Sequence, residues 1–230
     1  MRTIGMLGGM SWESSAEYYR LLNEGSRHRL GGHRTVPSVL LSVDFAEVVA
    51  MQEAGAWSRA GSFLADAARR VQQAGADLIV LCTNTMHQVA EAVEEAVDVP
   101  FVHIVDAAAQ RIAASGCEKV GLLGTRHTME LDFYRARMRD RHGIEVVVPT
   151  EPDRTLVHDV IYRELTRGRV EDSSREQYVR VIRELADRGA EAVVLGCTEI
   201  TLLVGQQDSP LPLFDSTRLH VEHALDLALG

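Results

Sequence analysis

Short apolar runs, each followed by Gly, Thr, Ser or Asn and then by residues of helical period, recur along the whole chain. That alternation is the signature of β-α units. Candidate strands cover 3–7, 36–42, 78–81, 101–104, 120–123, 145–148, 192–195 and a short 211–214. They show little apolar/polar alternation, which predicts strands buried on both faces in parallel sheets flanked by helices. A first helix is expected over 14–24, opened by the capping box Ser14-Ser15-Ala16-Glu17. A second, over 57–73, places Phe63, Leu64, Ala67, Ala68 and Val71 on one stripe and stops at Gly75. Further helices are expected over 86–97, 105–114, 129–142, 155–167, 175–188 and 217–229. No Pro-, Gly- or Ser-rich linker interrupts them.

The pattern is written twice. Residues 75–85 read GADLIVLCTNT and residues 189–199 read GAEAVVLGCTE, an offset of 114 that lays Thr83 over Cys197. IGMLGGMS from Ile4 matches VGLLGTRHT from Val120 at an offset of 116. The expected architecture is therefore α/β: two similar lobes related by a pseudo-twofold, each a mainly parallel sheet with helices on both faces. Residues 1–98 with 213–230 form the first expected lobe and 99–212 the second, with a site in the cleft between them. Each lobe would present one nucleophile-type residue at the end of a buried strand.

Composition narrows the partners. The 230 residues are 46% hydrophobic with a formal charge of −9, and no Lys or Arg run supplies the footprint that nucleic acid or anionic lipid needs. An acidic protein that binds acids must concentrate its cations locally. The cations are nearly all Arg, with Lys119 the single lysine. The N-terminal apolar stretch is broken by glycines and too short for a secretory signal, and no apolar run approaches the ~18 residues of a membrane span. Cys82, Cys117 and Cys197 are odd in number and lack CxxC spacing, so neither a disulfide framework nor a zinc site is expected and the reading is cytoplasmic.

Ligands of open α/β sheets sit beyond the carboxyl ends of strands. Four segments fall there: Gly8-Gly9-Met10-Ser11, Thr83-Asn84-Thr85, Gly124-Thr125 and Cys197-Thr198-Glu199. Their hydroxyls and amide can hold a carboxylate without adding charge; the plainer reading is that they cap helices and turn the chain. Cys197 precedes a predicted helix start, where a thiol's pKa is expected to fall. Cys82 should point into the flank of its sheet, since alternate strand residues face opposite sides. Cys117 reads as structural.

GGMS, CTNTMH, LLGT and GCTE, in this order over the whole chain, resemble the motifs of the aspartate/glutamate racemase family, in particular its branch of L-aspartate/glutamate-specific and broad-specificity amino-acid racemases. The resemblance implies an enzyme without pyridoxal phosphate, metal or other cofactor, in which two residues remove and return the α-proton on opposite faces of an amino acid. It implies a small amino-acid substrate and a homodimer. Carried over position by position, Cys197 is one acid/base and Thr83 stands where most members have the other cysteine. Met10, Ser11, Asn84, Thr85, Thr125 and Thr198 match positions that hold the substrate's carboxylate and ammonium. A hydroxyl is a far weaker acid than a thiol, so the resemblance implies good deprotonation of L-substrates and poor deprotonation of D-substrates.

The distal-group pocket departs from the strict aspartate pattern. SVDFAEVVAMQ carries no cation where one is expected, leaving Gln52 to contact a polar side chain; Arg163 and Arg167 of IYRELTRG read as a solvated helix face. His87 could shield Thr83 or pack, His220 and His223 flank Glu222 at a spacing short of a metal site, and Trp12 and Trp57 read as core or interface residues. Single-cysteine decarboxylases and isomerases of the same fold are the alternative enzymes. A phosphate-binding regulator fits poorly, because GMLGGMS matches neither phosphate-loop pattern, and a two-lobed amino-acid-binding protein is the remaining non-catalytic reading.

Overall fold

A computed structural model describes residues 1–230. Two four-stranded parallel sheets are present, each built on the same plan. The first contains β1 (Ile4–Gly8), β2 (Ser38–Ser42), β3 (Leu78–Leu81) and β4 (Phe101–Val102) in the order β2-β1-β3-β4. The second contains β5 (Lys119–Gly124), β6 (Glu145–Val147), β7 (Ala192–Gly196) and β8 (Leu213–Asp215) in the order β6-β5-β7-β8. Ile4 pairs with Leu78 in the first sheet and Val120 with Ala192 in the second. Those two pairs are related by the same offsets of 116 and 114 that align the sequence.

Chain contacts divide the molecule into two compact units, Met1–Ile104 with Thr217–Gly230, and Val105–Ser216. The expected boundaries at 98/99 and 212/213 shift by a few residues. The strand at 101–102 pairs with β3, and that at 213–215 pairs with β7. Each crossing therefore falls at the start of the next helix, α5 (Ile104–Ala114) and α11 (Ser216–Leu229).

The first sheet shows why its strands lack alternation. Leu7, Ile79 and Leu81 face one cluster with Leu64, Ala67, Ala68 and Val71 of α3 (Trp57–Gln73) and with Val48 and Met51 of α2 (Phe45–Glu53). Ile4, Met6, Leu78, Val80 and Cys82 face the other, against Tyr18, Leu21 and Leu22 of α1 (Trp12–Leu30) and Val221, Ala224 and Leu225 of α11. Helix α3 lies so close to β1 that a Cβ on Gly5 would come within 2.4 Å of Val71 Cγ1. The second unit repeats this: a Cβ on Gly121 would meet Leu185 of α9 (Asp172–Asp187) at 2.8 Å.

Three helix expectations are corrected. The Ser14 capping box does not form, because α1 already begins at Trp12 and its cap is Ser11, whose Oγ accepts the Ser14 N–H at 3.1 Å. The helix also continues past Gly25 to Leu30, since Gly25 serves close packing: its Cβ would stand 2.5 Å from Leu225 Cδ1. The stretch expected over 129–142 divides into α6 (Arg126–Glu130) and α7 (Asp132–His142), separated by an extended Leu131. Helix α4 (Ala90–Glu94) follows a 3₁₀ turn over Thr85–Val89, α8 spans Asp153–Arg163, and α10 spans Ile200–Leu203.

Candidate active site

In the first unit the ends of β1 and β3 lie side by side, Leu7 paired with Leu81. The loop after β1 is tightly built. Gly9 has φ +87°, and a Cβ there would stand 2.2 Å from the Val43 carbonyl, so only glycine fits. Ser11 has φ 148° and is the one non-glycine residue with positive φ. Such backbone costs about 1–3 kcal/mol and gathers at functional sites. The loop is held by Ser15 Oγ, which accepts from the Gly9 N–H at 2.9 Å and donates to the Ser11 carbonyl at 3.1 Å. Met10 is buried in the core, where its side chain packs, so its expected contact with substrate is not supported by an exposed side chain.

The loop after β3 carries Thr83, partly exposed, and the buried Asn84 and Thr85. His87 locks it. Its Nδ1 meets the Thr83 carbonyl at 2.7 Å and its Nε2 accepts the Ile104 N–H at 3.2 Å, which makes it a neutral ring protonated on Nδ1. Gln52 joins this group from α2, its amide nitrogen 2.9 Å from Met86 Sδ beneath the loop. Cys82 is fully buried in the α1 and α11 face, and burial raises its thiol pKa. It is a small core residue with an inert thiol.

In the second unit Gly124 pairs with Gly196. Cβ atoms on either would press on Thr128, at 3.1 and 3.3 Å from its Cγ2. The two glycines thus let the Thr125 and Cys197 loops close together. Thr125 Oγ1 is the cap of α6, accepting from the Thr128 N–H at 3.3 Å and sharing a 3.1 Å hydrogen bond with Thr128 Oγ1. The capping reading therefore holds at Thr125, as it does at Ser11.

Cys197 follows β7 and is a half-buried residue. Its thiol donates to Glu199 Oε2 at 2.9 Å. Burial and then the Glu199 carboxylate, by charge and by that hydrogen bond, push the thiol well above its ordinary pKa, against the pull of the Thr198 and Glu199 backbone amides. The expected lowering is thus overturned. Helix α10 begins three residues later and is too short to outweigh a carboxylate in contact with the sulfur. Behind lie Tyr178, whose OH donates to the Val157 carbonyl at 2.8 Å, and Glu164, whose charge with that of Cys197 adds to burial in raising the tyrosine pKa.

Glu199, named in the sequence only as part of its strand-end segment, is the side chain in contact with the thiol. Its signal was present, a carboxylate two residues after the cysteine. Other candidates take ordinary places. Arg163 is exposed and pairs with Asp159 one turn away. His220 is fully buried with Nε2 on the Val102 carbonyl at 2.7 Å and Nδ1 on Tyr18 OH at 2.8 Å, which leaves no nitrogen for a metal. Asn84, Thr85, Met10, Ser11 and Gln52 stand with Thr83 in the first unit, whereas Thr125 and Thr198 stand with Cys197 in the second.

With that geometry described, the relatives become informative. The profile of the Asp/Glu/Hydantoin racemase family matches residues 7–224. The chain belongs to that family. A solved structure of a candidate Asp/Glu racemase from Yersinia pestis is 47% identical, with TM-score 0.96 and 100% of both chains covered. An aspartate racemase homologue from Pyrococcus horikoshii OT3 is 35% identical, with TM-score 0.89 and the same full coverage. The broad-specificity amino-acid racemase of Bacillus subtilis (strain 168) is 24% identical over 156 residues, which are 66% of this chain and 65% of that protein. The chain spans less than two thirds of the length of the curated relatives it matches.

Proposed function

We propose that the protein is a cofactor-independent amino-acid racemase of the aspartate/glutamate type that favours L-substrates. The observation that carries this reading is the Cys197–Glu199 contact at a strand end whose repeat-related position holds Thr83. Glu199 accepts the thiol proton, and the Cys197 thiolate takes the α-proton of an L-amino acid, leaving a planar carbanion. The Thr83 hydroxyl returns a proton to the opposite face and is itself reprotonated by water, and the hydroxide so formed takes the proton held on Glu199, restoring the starting state. Hydroxyl and amide groups of Asn84, Thr85, Thr125 and Thr198 hold the α-carboxylate and ammonium, and oxyanion character that develops on the carboxylate strengthens those bonds. Gln52, a neutral amide where a cation would select one distal carboxylate, admits more than one polar side chain.

The pairing of a thiol with a hydroxyl sets the asymmetry. Removing the α-proton of a D-substrate requires Thr83 as base, and an aliphatic hydroxyl is a poor one near neutrality. Exchange of the α-hydrogen in deuterated water, followed by NMR over a panel of L- and D-amino acids with Cys197→Ser as blank, tests reaction, specificity and asymmetry together. Fast exchange from L-aspartate or L-glutamate with slow exchange from the D-forms is expected. Equal rates from both enantiomers contradict the assignment of Thr83, and no exchange with carbon dioxide release from a malonate replaces racemisation by decarboxylation.

A further inference from the structure

Two imidazoles hold one short stretch of backbone in the first unit, where β4 runs into α5. The Val102 carbonyl meets His220 Nε2 at 2.7 Å, and two residues on the Ile104 N–H donates to His87 Nε2 at 3.2 Å. A carbonyl needs a protonated nitrogen and an N–H needs a bare one, so the two rings sit in opposite tautomers. For His87 the choice reaches further. With Nε2 bare, its one proton is on Nδ1, which stands 2.7 Å from the Thr83 carbonyl. The backbone at Ile104 therefore decides that His87 presents a donor to Thr83.

Both backbone groups of Thr83 are thereby taken. Its N–H closes a three-residue turn onto the Leu81 carbonyl at 2.8 Å, and its carbonyl is held by the imidazole. With the backbone fixed on either side, the direction of the half-buried Thr83 side chain is set by the strand end. The ring that does this has no room to turn. His87 is buried, its centroid 4.5 Å from that of His103 and 5.7 Å from those of Phe101 and His220.

We propose that His87 is a positioning residue for Thr83: its Nδ1–H, oriented by the Ile104 amide, fixes the backbone from which the Thr83 hydroxyl delivers its proton. This role rests on the racemase reading above and adds to it a one-sided dependence. Removal of the α-proton from an L-substrate runs through Cys197 and Glu199, and neither has His87 as its hydrogen-bond partner. Delivery to the opposite face runs through Thr83 and needs the hydroxyl in place, where an error of about 1 Å costs about 10²-fold. Loss of the Nδ1–H should therefore slow conversion of L to D far more than it slows exchange of the L-substrate.

Nitrogen-15 NMR of the histidine-labelled native chain reads the tautomer without any turnover. His87 should carry its proton on Nδ1 and His220 on Nε2; a His87 protonated on Nε2 overturns the proposal. Turnover is then followed with L-aspartate in deuterated water. His87→Gln, whose amide reaches the place of Nε2 but not that of Nδ1, should slow formation of D-aspartate about 30-fold, while deuterium uptake into recovered L-aspartate falls by no more than about threefold. His87→Asn puts an amide nitrogen where Nδ1 stands and should bring D-aspartate formation back to within about threefold of native. Equal loss of both rates in His87→Gln, or no recovery in a folded His87→Asn, marks an ordinary packing role and overturns the proposal. A native chain that neither exchanges nor racemises removes the racemase reading and this role with it, whereas an active native chain indifferent to His87→Gln removes this role alone.

Discussion

The end of β3 and the end of β7 are the same place in two copies of one design, yet their chemistry is opposite. At β3 the strand-end residue is Thr83, and the group that attends it is His87, a neutral ring spent on the Thr83 carbonyl and the Ile104 amide. At β7 the residue is Cys197, and the group that attends it is Glu199, an acceptor for the thiol proton. In one unit the neighbour holds backbone; in the other it accepts a hydrogen bond from the thiol. Duplication supplies two equivalent positions, and side chains a few residues downstream give them different surroundings.

The largest effect expected is at the active strand end. Cys197→Ser should cut α-hydrogen exchange from L-substrates by about 10³-fold, within the range general base catalysis supplies, with little change in melting temperature. Thr83→Cys is the reciprocal test, and by placing a thiol in both copies it should raise exchange from D-substrates by about 10-fold or more. If the L-to-D ratio is unaltered, the two strand ends are not partners.

Glu199→Gln separates two roles. Losing the proton acceptor should reduce exchange by about 10²-fold. Losing the negative charge should move the pH midpoint of iodoacetamide alkylation at Cys197 downward, since the carboxylate disfavours the thiolate. In the native protein the thiol pKa lies above the usual cysteine range, so exchange should still be rising as the pH passes 8.5, about where an unperturbed thiol would be half ionised.

Smaller effects belong to the scaffold of the first unit. Burial lowers the pKa of His220 to about 4, whereas the unfolded imidazole titrates near about 6.5. Stability is therefore full above that value and is lost as the pH falls toward about 4, by about 3 kcal/mol. Urea midpoints compared at neutral pH and near pH 5 should show the loss, and His220→Gln should flatten it. Cys82→Ala, which removes one buried sulfur from the core, should cost about 1–2 kcal/mol and leave the exchange rate in place. Loss of exchange in that variant would move the chemistry one residue back along β3.

The repeat, the both-face burial of the strands and the equivalent strand-end places of Thr83 and Cys197 were legible in the linear pattern because a strand's side chains are dictated by what covers it. Helix ends were less so. Gly25 and Ser14 carry ordinary stop and start signals, but the approach of α11 and the cap at Ser11 override them. The thiol at Cys197 was misjudged for a related reason. A rule about helix starts knows nothing of a carboxylate that the turn folds back onto the sulfur.

By itself the sequence determined the class of fold, its duplication and the place of Thr83 against Cys197, since periodicity and repeats are properties of the linear chain. Only the tertiary structure decided the thiol's ionisation, the tautomer of His87 and the burial of Met10. These depend on which groups meet through space: electrostatic energy and desolvation follow distance and burial, neither of which residue order records.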